Sequence, residues 1–304
     1  SASGLSITGS RLFTQAGGTV EADDWFAWSL TAADFDGDGF ADLAAGAPFE
    51  DVTSRQDAGA VSALYGSAAG LTIIGSRLFT QVGGTVEAGD WFAWSLTAGD
   101  FDGNGFADLA AGAPIETVGA VPDAGAVSIL PGTADGLTAT GGQLFTQVAN
   151  PPEGFDQFGF TLAAGDFDDD GFADLAADAR NEAVGAAEGA GAVSILYGTA
   201  SGLSATGGQF FTQVAGTVEA RDEFGRALAV GDFNGPGFDD LAAAAPSESV
   251  GTLLQAGAVS AIYGTANGLS TAGGQIFTQD TPGVPGTAED SEQFGDALAT
   301  GNPG

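Results

Sequence analysis

Cysteine, histidine, methionine and lysine are all absent, and the six basic residues are arginines. Without cysteine there are no disulfides and no thiol chemistry, and the usual clue to redox compartment is missing. Without histidine no ordinary side chain titrates near neutrality to serve as a general base. No Ser-His-Asp set, no cysteine nucleophile and no phosphate-cradling loop can be assembled. Paired carboxylates can hydrolyse glycosides, but nothing singles out a pair among 40 acidic residues, and lyase chemistry that relies on a basic side chain has little to draw on. The sequence therefore predicts no enzyme.

Positive charge is equally scarce. The formal charge of −34 excludes nucleic acid as a partner, because phosphate binding needs lysine and arginine. It disfavours anionic membrane surfaces for the same reason. No apolar run approaches the roughly 20 residues of a transmembrane helix, so no membrane insertion is expected. The chain opens on Ser1 and shows no signal peptide, which suits a mature or excised product.

What the sequence has in abundance is glycine, aspartate and repetition. The segment Asp34-Phe35-Asp36-Gly37-Asp38-Gly39-Phe40-Ala41-Asp42 places carboxylates at its first, third, fifth and ninth positions. It returns from Asp100 to Asp108 with Asn104 at the fifth position, and from Asp166 to Asp174 with Asp169 in place of the first glycine. A worn copy runs from Asp232 to Asp240, where Asn234 replaces the second aspartate and Pro236 the third. The four copies start 66 residues apart.

Carboxylates crowded in this way repel one another unless a cation sits among them. Calcium is the expected ion, since it takes six to eight oxygens from carboxylates, backbone carbonyls and water. The expected ligands are Asp34, Asp36, Asp38 and Asp42 with the carbonyl of Phe40. They recur as Asp100, Asp102, Asn104, Asp108 and Phe106, and as Asp166, Asp168, Asp170, Asp174 and Phe172. Three Ca2+ sites are thus expected, which would bring the charge of −34 to about −28. For the fourth copy, weak binding by Asp232, Asn234, Asp240 and the carbonyl of Phe238 stands beside an empty turn. Asp-Gly segments also serve as plain turns, but near-identical copies at fixed spacing argue for a shared ligand. An EF-hand would place a glutamate at position twelve and flank the loop with helices. Alanine stands there instead (Ala45, Ala111, Ala177, Ala243), so the loop reads as a β-hairpin connection.

Other segments keep the same period. Leu12-Phe13-Thr14-Gln15 recurs as Leu78 to Gln81, Leu144 to Gln147, Phe210 to Gln213 and Ile276 to Gln279. Aromatic-led strands are expected over 25–32, 91–98, 158–164, 224–230 and 294–300. After each Asp-rich loop comes a small apolar strand such as Asp42 to Gly46, and later a strand such as Ala60 to Tyr65. Each unit therefore reads as four short strands between glycine-rich turns. That is an all-β architecture and the sequence form of a β-propeller blade; a β-solenoid coil is usually shorter than 66 residues.

The residues also resemble a known family. Phe158-Gly159, Phe224-Gly225 and Phe294-Gly295, with Gly46-Ala47-Pro48 and Gly112-Ala113-Pro114 downstream, are similar to FG-GAP repeats, which build the N-terminal propeller of integrin α subunits. The resemblance implies that the Asp-rich loop is the calcium site and that partners often bind the opposite face. It departs at Phe26-Ala27, Phe92-Ala93, Asp178-Ala179-Arg180 and Ala244-Ala245-Pro246.

With strands named A to D from the centre outward, the expectation is one propeller domain or propeller fragment over 1–304. Repeat units span 16–81, 82–147, 148–213 and 214–279, with partial blades in 1–15 and 280–304. A lone D strand near Gly9 to Gln15 and a lone A strand from Phe294 to Gly301 bring the expected strands to 18. Incomplete terminal blades would leave edges open to self-association. The aromatic stripe, with Phe13, Trp25, Phe26 and Phe35 and their repeats, reads as core between blades. The functional expectation is a secreted or cell-surface calcium-binding propeller that recognises an extracellular protein. A calcium-dependent lectin with a glycan ligand, and an assembly module, are the alternatives.

Overall fold

A computed structural model describes residues 10–299 apart from 20, 149, 215 and 236. Four successive antiparallel meanders make up the described chain. The first contains β1 (Leu30–Ala33), β2 (Asp42–Ala47), β3 (Ala60–Tyr65) and β4 (Thr72–Phe79). The second contains β5 (Ser95–Gly99), β6 (Asp108–Ala113), β7 (Ala126–Leu130) and β8 (Gln143–Phe145). The third contains β9 (Phe158–Gly165), β10 (Asp174–Ala179), β11 (Ala192–Tyr197) and β12 (Ser204–Phe211). The fourth contains β13 (Leu228–Gly231), β14 (Asp240–Ala245), β15 (Ala258–Tyr263) and β16 (Ser270–Phe277). Each set hydrogen-bonds in chain order to form one four-stranded sheet, and no helix occurs among the described residues. The chain is a β-propeller of four-stranded blades, as its sequence implies.

Composition explains how the blades stack. The B and C strands are runs of alanine, glycine, leucine and valine, such as Asp42–Ala47 and Ala60–Tyr65, and are almost wholly buried. Small side chains on both faces let adjacent sheets approach closely. Larger residues fill the space between blades. Phe35, Val61 and Leu64 of the first unit are fully buried, as are Phe92, Leu109 and Leu130 of the second. The first core cluster joins units one and two, the second joins two and three, and the third joins three and four. The D strands are the outermost, with three successive exposed residues near the start of β4 and of β12 and mostly covered ones after them.

The two halves of the FG-GAP motif meet across each blade boundary. A Cβ on Gly46 would collide with the carbonyl of Ala93, and one on Gly112 with the carbonyl of Gly159. In the third unit Asp178 stands where Gly46 stands in the first; its Cβ lies against Gly225, so there the glycine has moved to the other partner.

Three expectations need correction. The aromatic-led A strands begin later than their sequence pattern implies in units one, two and four. Trp25 and Ala27 have φ of 51° and 66°, Trp91 and Ala93 of 55° and 67°, and Glu223 and Gly225 of 55° and 99°. Left-handed residues interrupt a regular extended ladder. Here they make these segments turns and the strands start at Leu30, Ser95 and Leu228, whereas in unit three β9 carries left-handed Gly159 beside a register irregularity at its start. The lone terminal strands do not form among the described residues: 10–15 and 294–299 make no ladder, and Gly9, Thr300 and Gly301 lie outside the described residues. A single strand has no partner to satisfy its backbone there. Finally, Trp25 is not core. It is 50% exposed and joins an aromatic cluster with Trp28, Phe49, Trp91, Trp94 and Phe160.

Candidate metal centre

The Asp-rich loops connect A to B in every blade and therefore share one face of the stack. In unit one, Asp34, Asp36 and Asp42 each bring a carboxylate oxygen within 4.8 Å of the others. Asp100, Asp102 and Asp108 do so in unit two, and Asp166, Asp168 and Asp174 in unit three. The first, third and ninth positions are thus brought together.

The ninth position has a second task that the sequence pattern does not reveal. Asp42 is buried; its Oδ2 accepts from the Phe35 N–H at 2.8 Å and its Oδ1 from the Gly66 N–H at 2.6 Å. Asp108, Asp174 and Asp240 make the same pair of bonds, to Phe101 and Gly132, to Phe167 and Gly198, and to Phe233 and Gly264. Each therefore ties its A–B loop to the C–D turn of its own blade. A carboxylate oxygen accepts more than one bond, so these oxygens still have lone pairs to offer.

The fifth position is placed otherwise. Asp38, Asn104 and Asp170 lie outside the three-carboxylate groups, and their side-chain oxygens accept from the N–H groups of Phe40, Phe106 and Phe172 at 2.8–3.0 Å. Gly37 and Gly39 have φ of 70° and 87°, which curls the loop inward. A Cβ at Gly37 would stand 2.6 Å from the Phe106 ring of the next blade, and one at Gly103 would stand 2.5 Å from that of Phe172. The first two loops are thus each covered by the blade that follows.

Among the described residues the fourth loop forms no such group. Asn234 Nδ2 donates to Asp240 Oδ1 at 3.2 Å, and Phe238 lies in the turn that follows; Pro236 lies outside the described residues.

The electrostatics of the first three loops call for a cation. Burial, opposed in part by the Gly132 N–H and reinforced by Asp102 and Asp100, pushes the Asp108 carboxyl up to about 6. Burial likewise pushes Asp174 up to about 7, with Asp168 and Asp166 adding repulsion. Asp42, Asp36 and Asp168 are raised for the same first reason. Asp34 Oδ1 and Asp168 Oδ1 are buried with no hydrogen-bond partner. An all-oxygen donor set with orphaned carboxylate oxygens suits a hard ion such as calcium.

On the opposite face the B–C and D–A loops surround the aromatic cluster. Trp91 and Trp94 stack at 5.2 Å, Trp28 and Trp94 lie 4.8 Å apart, and the Arg180 guanidinium sits 3.7 Å from the Phe160 ring centre. Between units three and four a cavity of about 480 Å³ is lined by Asp156, Asn181, Arg221 and the exposed Phe155, among others.

Comparison with known proteins gives four matches to the FG-GAP repeat, at residues 26–64, 92–130, 158–196 and 224–262, just over half of the chain. Integrin alpha-PS2 of Drosophila melanogaster is 29% identical over 262 residues, covering 82% of this chain and 17% of that protein. Phosphatidylinositol-glycan-specific phospholipase D of Rattus norvegicus is 35% identical over 115 residues, covering 37% of this chain and 14% of that protein. The chain thus spans less than a fifth of the length of either relative. Among solved structures, the exotype rhamnogalacturonan lyase YesX aligns with a TM-score of 0.41 and 14% identity, over 70% of this chain and 37% of that one. The phospholipase match overturns the expectation that the chain is no enzyme. Repeats of this kind occur in a protein named as a phospholipase, so the missing histidine, cysteine and lysine do not exclude a place among enzymes. No helix among the described residues is long and apolar enough to cross a membrane.

Proposed function

The chain belongs to the FG-GAP repeat family, and on that premise we propose that it is a calcium-binding propeller module for extracellular recognition. The observation that carries the calcium reading is the threefold recurrence of Asp34–Asp36–Asp42 geometry, with orphaned buried oxygens at Asp34 and Asp168. Calcium in these A–B loops would cancel the local repulsion and pin each hairpin to its blade. Millimolar calcium is an extracellular condition, which supports a secreted or cell-surface location. Residues 1–304 would serve as one propeller domain or as part of a larger one.

Recognition is assigned to the face away from the calcium loops. There, variable loops on a rigid scaffold carry most of the remaining carboxylates around an exposed aromatic cluster. Acidic loops beside tryptophan faces suit a protein partner that presents arginine or lysine. The test is a calcium titration by calorimetry on protein stripped with chelator. Three ions whose loss tracks Asp36→Asn, Asp102→Asn and Asp168→Asn are expected; no heat and no change in melting would refute the calcium reading.

The cavity between units three and four favours a second reading, a glycan ligand. Phe155 offers an apolar face beside the polar groups of Asp156, Asn181 and Arg221. A glycan array run with calcium and with chelator separates the two readings, and Phe155→Ala would abolish array binding if the cavity is the site.

A further inference from the structure

On the face away from the Asp-Gly loops the repeat builds a second carboxylate group. In unit four, Glu219 and Asp222 of the connection into β13 and Glu248 after β14 bring oxygens within 4.8 Å of one another. Gln213, just after β12, belongs to the same group. Asp222 is buried, and its Oδ2 accepts from the Glu219 N–H at 2.6 Å, which fixes the loop. Glu248 is 7% exposed, yet its Oε2 has no hydrogen-bond partner, and neither amide atom of Gln213 has one.

The three carboxylates converge within 4.8 Å only in unit four, but the buried glutamine–glutamate pair recurs at the 66-residue period in units one and two. Gln81 is 5% exposed with both amide atoms orphaned, and Glu116 is 6% exposed with Oε2 orphaned. In unit one, Gln15 and Glu50 repeat the pattern at 8% and 4% exposure. Unsatisfied polar atoms this deeply buried are costly, so their repetition calls for a missing partner. Burial, opposed in part by the nearby Gln213 amide and reinforced by repulsion from Asp222 and Glu219, pushes Glu248 up to about 7. The amide is close enough to act on the carboxylate although its geometry falls short of a direct hydrogen bond.

Unit three shows what that partner replaces. There, Gln147 Nε2 donates to Glu182 Oε2 at 2.8 Å and Asn150 Nδ2 donates to Glu182 Oε1 at 2.5 Å. Both oxygens of Glu182 are satisfied by amide donors. The other units carry glycine at the Asn150 position: Gly18, Gly84 and Gly216. A Cβ at Gly18 would lie 2.5 Å from Gln15 Nε2 and 2.6 Å from Glu50 Oε1, so a side chain from that position enters the group. In every unit burial raises the glutamate carboxyl and the nearby glutamine partly opposes it, but only in unit three do both glutamate oxygens accept a direct bond from an amide. Elsewhere Oε2 is left over, and in unit three the leftover atom is Gln147 Oε1.

We propose that these groups in units one, two and four are a second tier of cation sites, each taking one hard divalent ion through glutamine, glutamate and aspartate oxygens. In unit three, Gln147 and Asn150 stand in for the ion. The donors are all oxygen, with no sulfur or imidazole, which selects calcium, magnesium or manganese over softer metals. These sites lie beside the recognition loops, whereas the A–B loops lie on the other face.

The test is the number of calcium ions bound at neutral pH, by calorimetry and by metal content after dialysis. Glu248→Gln and Gly84→Asn, at a glycine with no left-handed backbone to strain, are each expected to lower that number by one. Asn150→Gly is expected to raise it by one. The combined Asp36→Asn, Asp102→Asn and Asp168→Asn protein is expected to keep the second tier, so failure of the A–B sites and failure of this proposal are distinguishable. Glu219 is exposed, so Glu219→Gln, with weakened binding at one site, serves if Glu248→Gln does not fold. Unchanged ion numbers in Glu248→Gln and Gly84→Asn would overturn the proposal and assign the groups to carboxylates that share protons.

Discussion

The N–H of Ala107 donates to the carbonyl oxygen of Asp34 at 3.0 Å, from one blade to the next. The same bond joins Ala173 to Asp100 at 2.9 Å and Asp239 to Asp166 at 3.0 Å. The Asp-rich loops are thus linked in a row, and each has its first aspartate held by the loop that follows. Ordering one loop should help order its neighbour. Asp36→Asn is expected to abolish one site and to weaken the adjacent one by about fivefold, the low end of usual coupling energies. Calorimetric titration of the variant checks this; a neighbouring site of unaltered affinity would show that the row transmits nothing.

Removal of calcium should lower stability strongly. One site at free calcium 100-fold above Kd adds about 2.7 kcal/mol. Three such sites predict that chelator lowers Tm by roughly 10 °C or more. Scanning calorimetry with and without chelator reads the shift directly.

The pH dependence should invert with calcium. In the metal-free protein, Asp108 is raised to about 6 and Asp174, Glu116, Asp156 and Glu248 to about 7, each chiefly by burial. The folded state then binds more protons than the unfolded chain between about pH 4 and pH 7. Stability from these groups is full below the unfolded values and is lost as pH rises through the folded ones. Chelated protein is therefore expected to melt higher at about pH 5 than above pH 7. With calcium the order reverses, because the ion binds only the ionised carboxylates.

The fourth loop should be repairable at one position. Asp232 and Asp240 keep the first and ninth places, and Asp240 makes the same two backbone bonds as its counterparts. The third place holds Asn234, whose amide occupies Asp240 Oδ1. Asn234→Asp is expected to add one bound calcium, measured by titration, whereas Asn234→Ala should add none.

The FG-GAP contact should tolerate one side chain but not two. Gly46 faces Ala93, Gly112 faces Gly159, Gly225 faces Asp178 and Gly295 faces Ala244, so every pair contains a glycine. Gly225 also has φ of 99°, which an L side chain resists. Gly46→Ala, which would put a second side chain against Ala93, is expected to cost about 1–3 kcal/mol or more. Gly225→Ala should cost more, and Asp178→Gly should restore part of that loss, with a coupling of about 0.5–3 kcal/mol in denaturant unfolding.

Much of this was legible in one dimension because repetition does the work of an alignment. Four copies at one period expose the Asp-rich loop, the four strands and the blade, since each blade meets the same neighbours and so needs the same residues. The aspartates at positions one, three and nine are readable because like charges at close spacing have few other uses. The late start of the A strands was not readable: aromatic residues favour strands, and nothing in Trp25 or Ala27 announces a left-handed backbone. The second carboxylate group escaped for another reason. Its members come from two separate loops, the connection from β12 to β13 and the one from β14 to β15, and each alone looks like an ordinary surface acid or amide.

The sequence by itself determined the period, the all-β blade and the Asp-rich loop proposed as the cation site, because those rest on local spacing and residue chemistry. The tertiary structure decided which oxygens converge, that Asp42 and its counterparts also fasten the C–D turns, and that Glu248, Asp222 and Gln213 share one buried space. It decided, too, that Gly46 must remain glycine while Asp178 need not. Those outcomes depend on distances across blade boundaries. Such distances are set by how the sheets stack, and no local pattern encodes them.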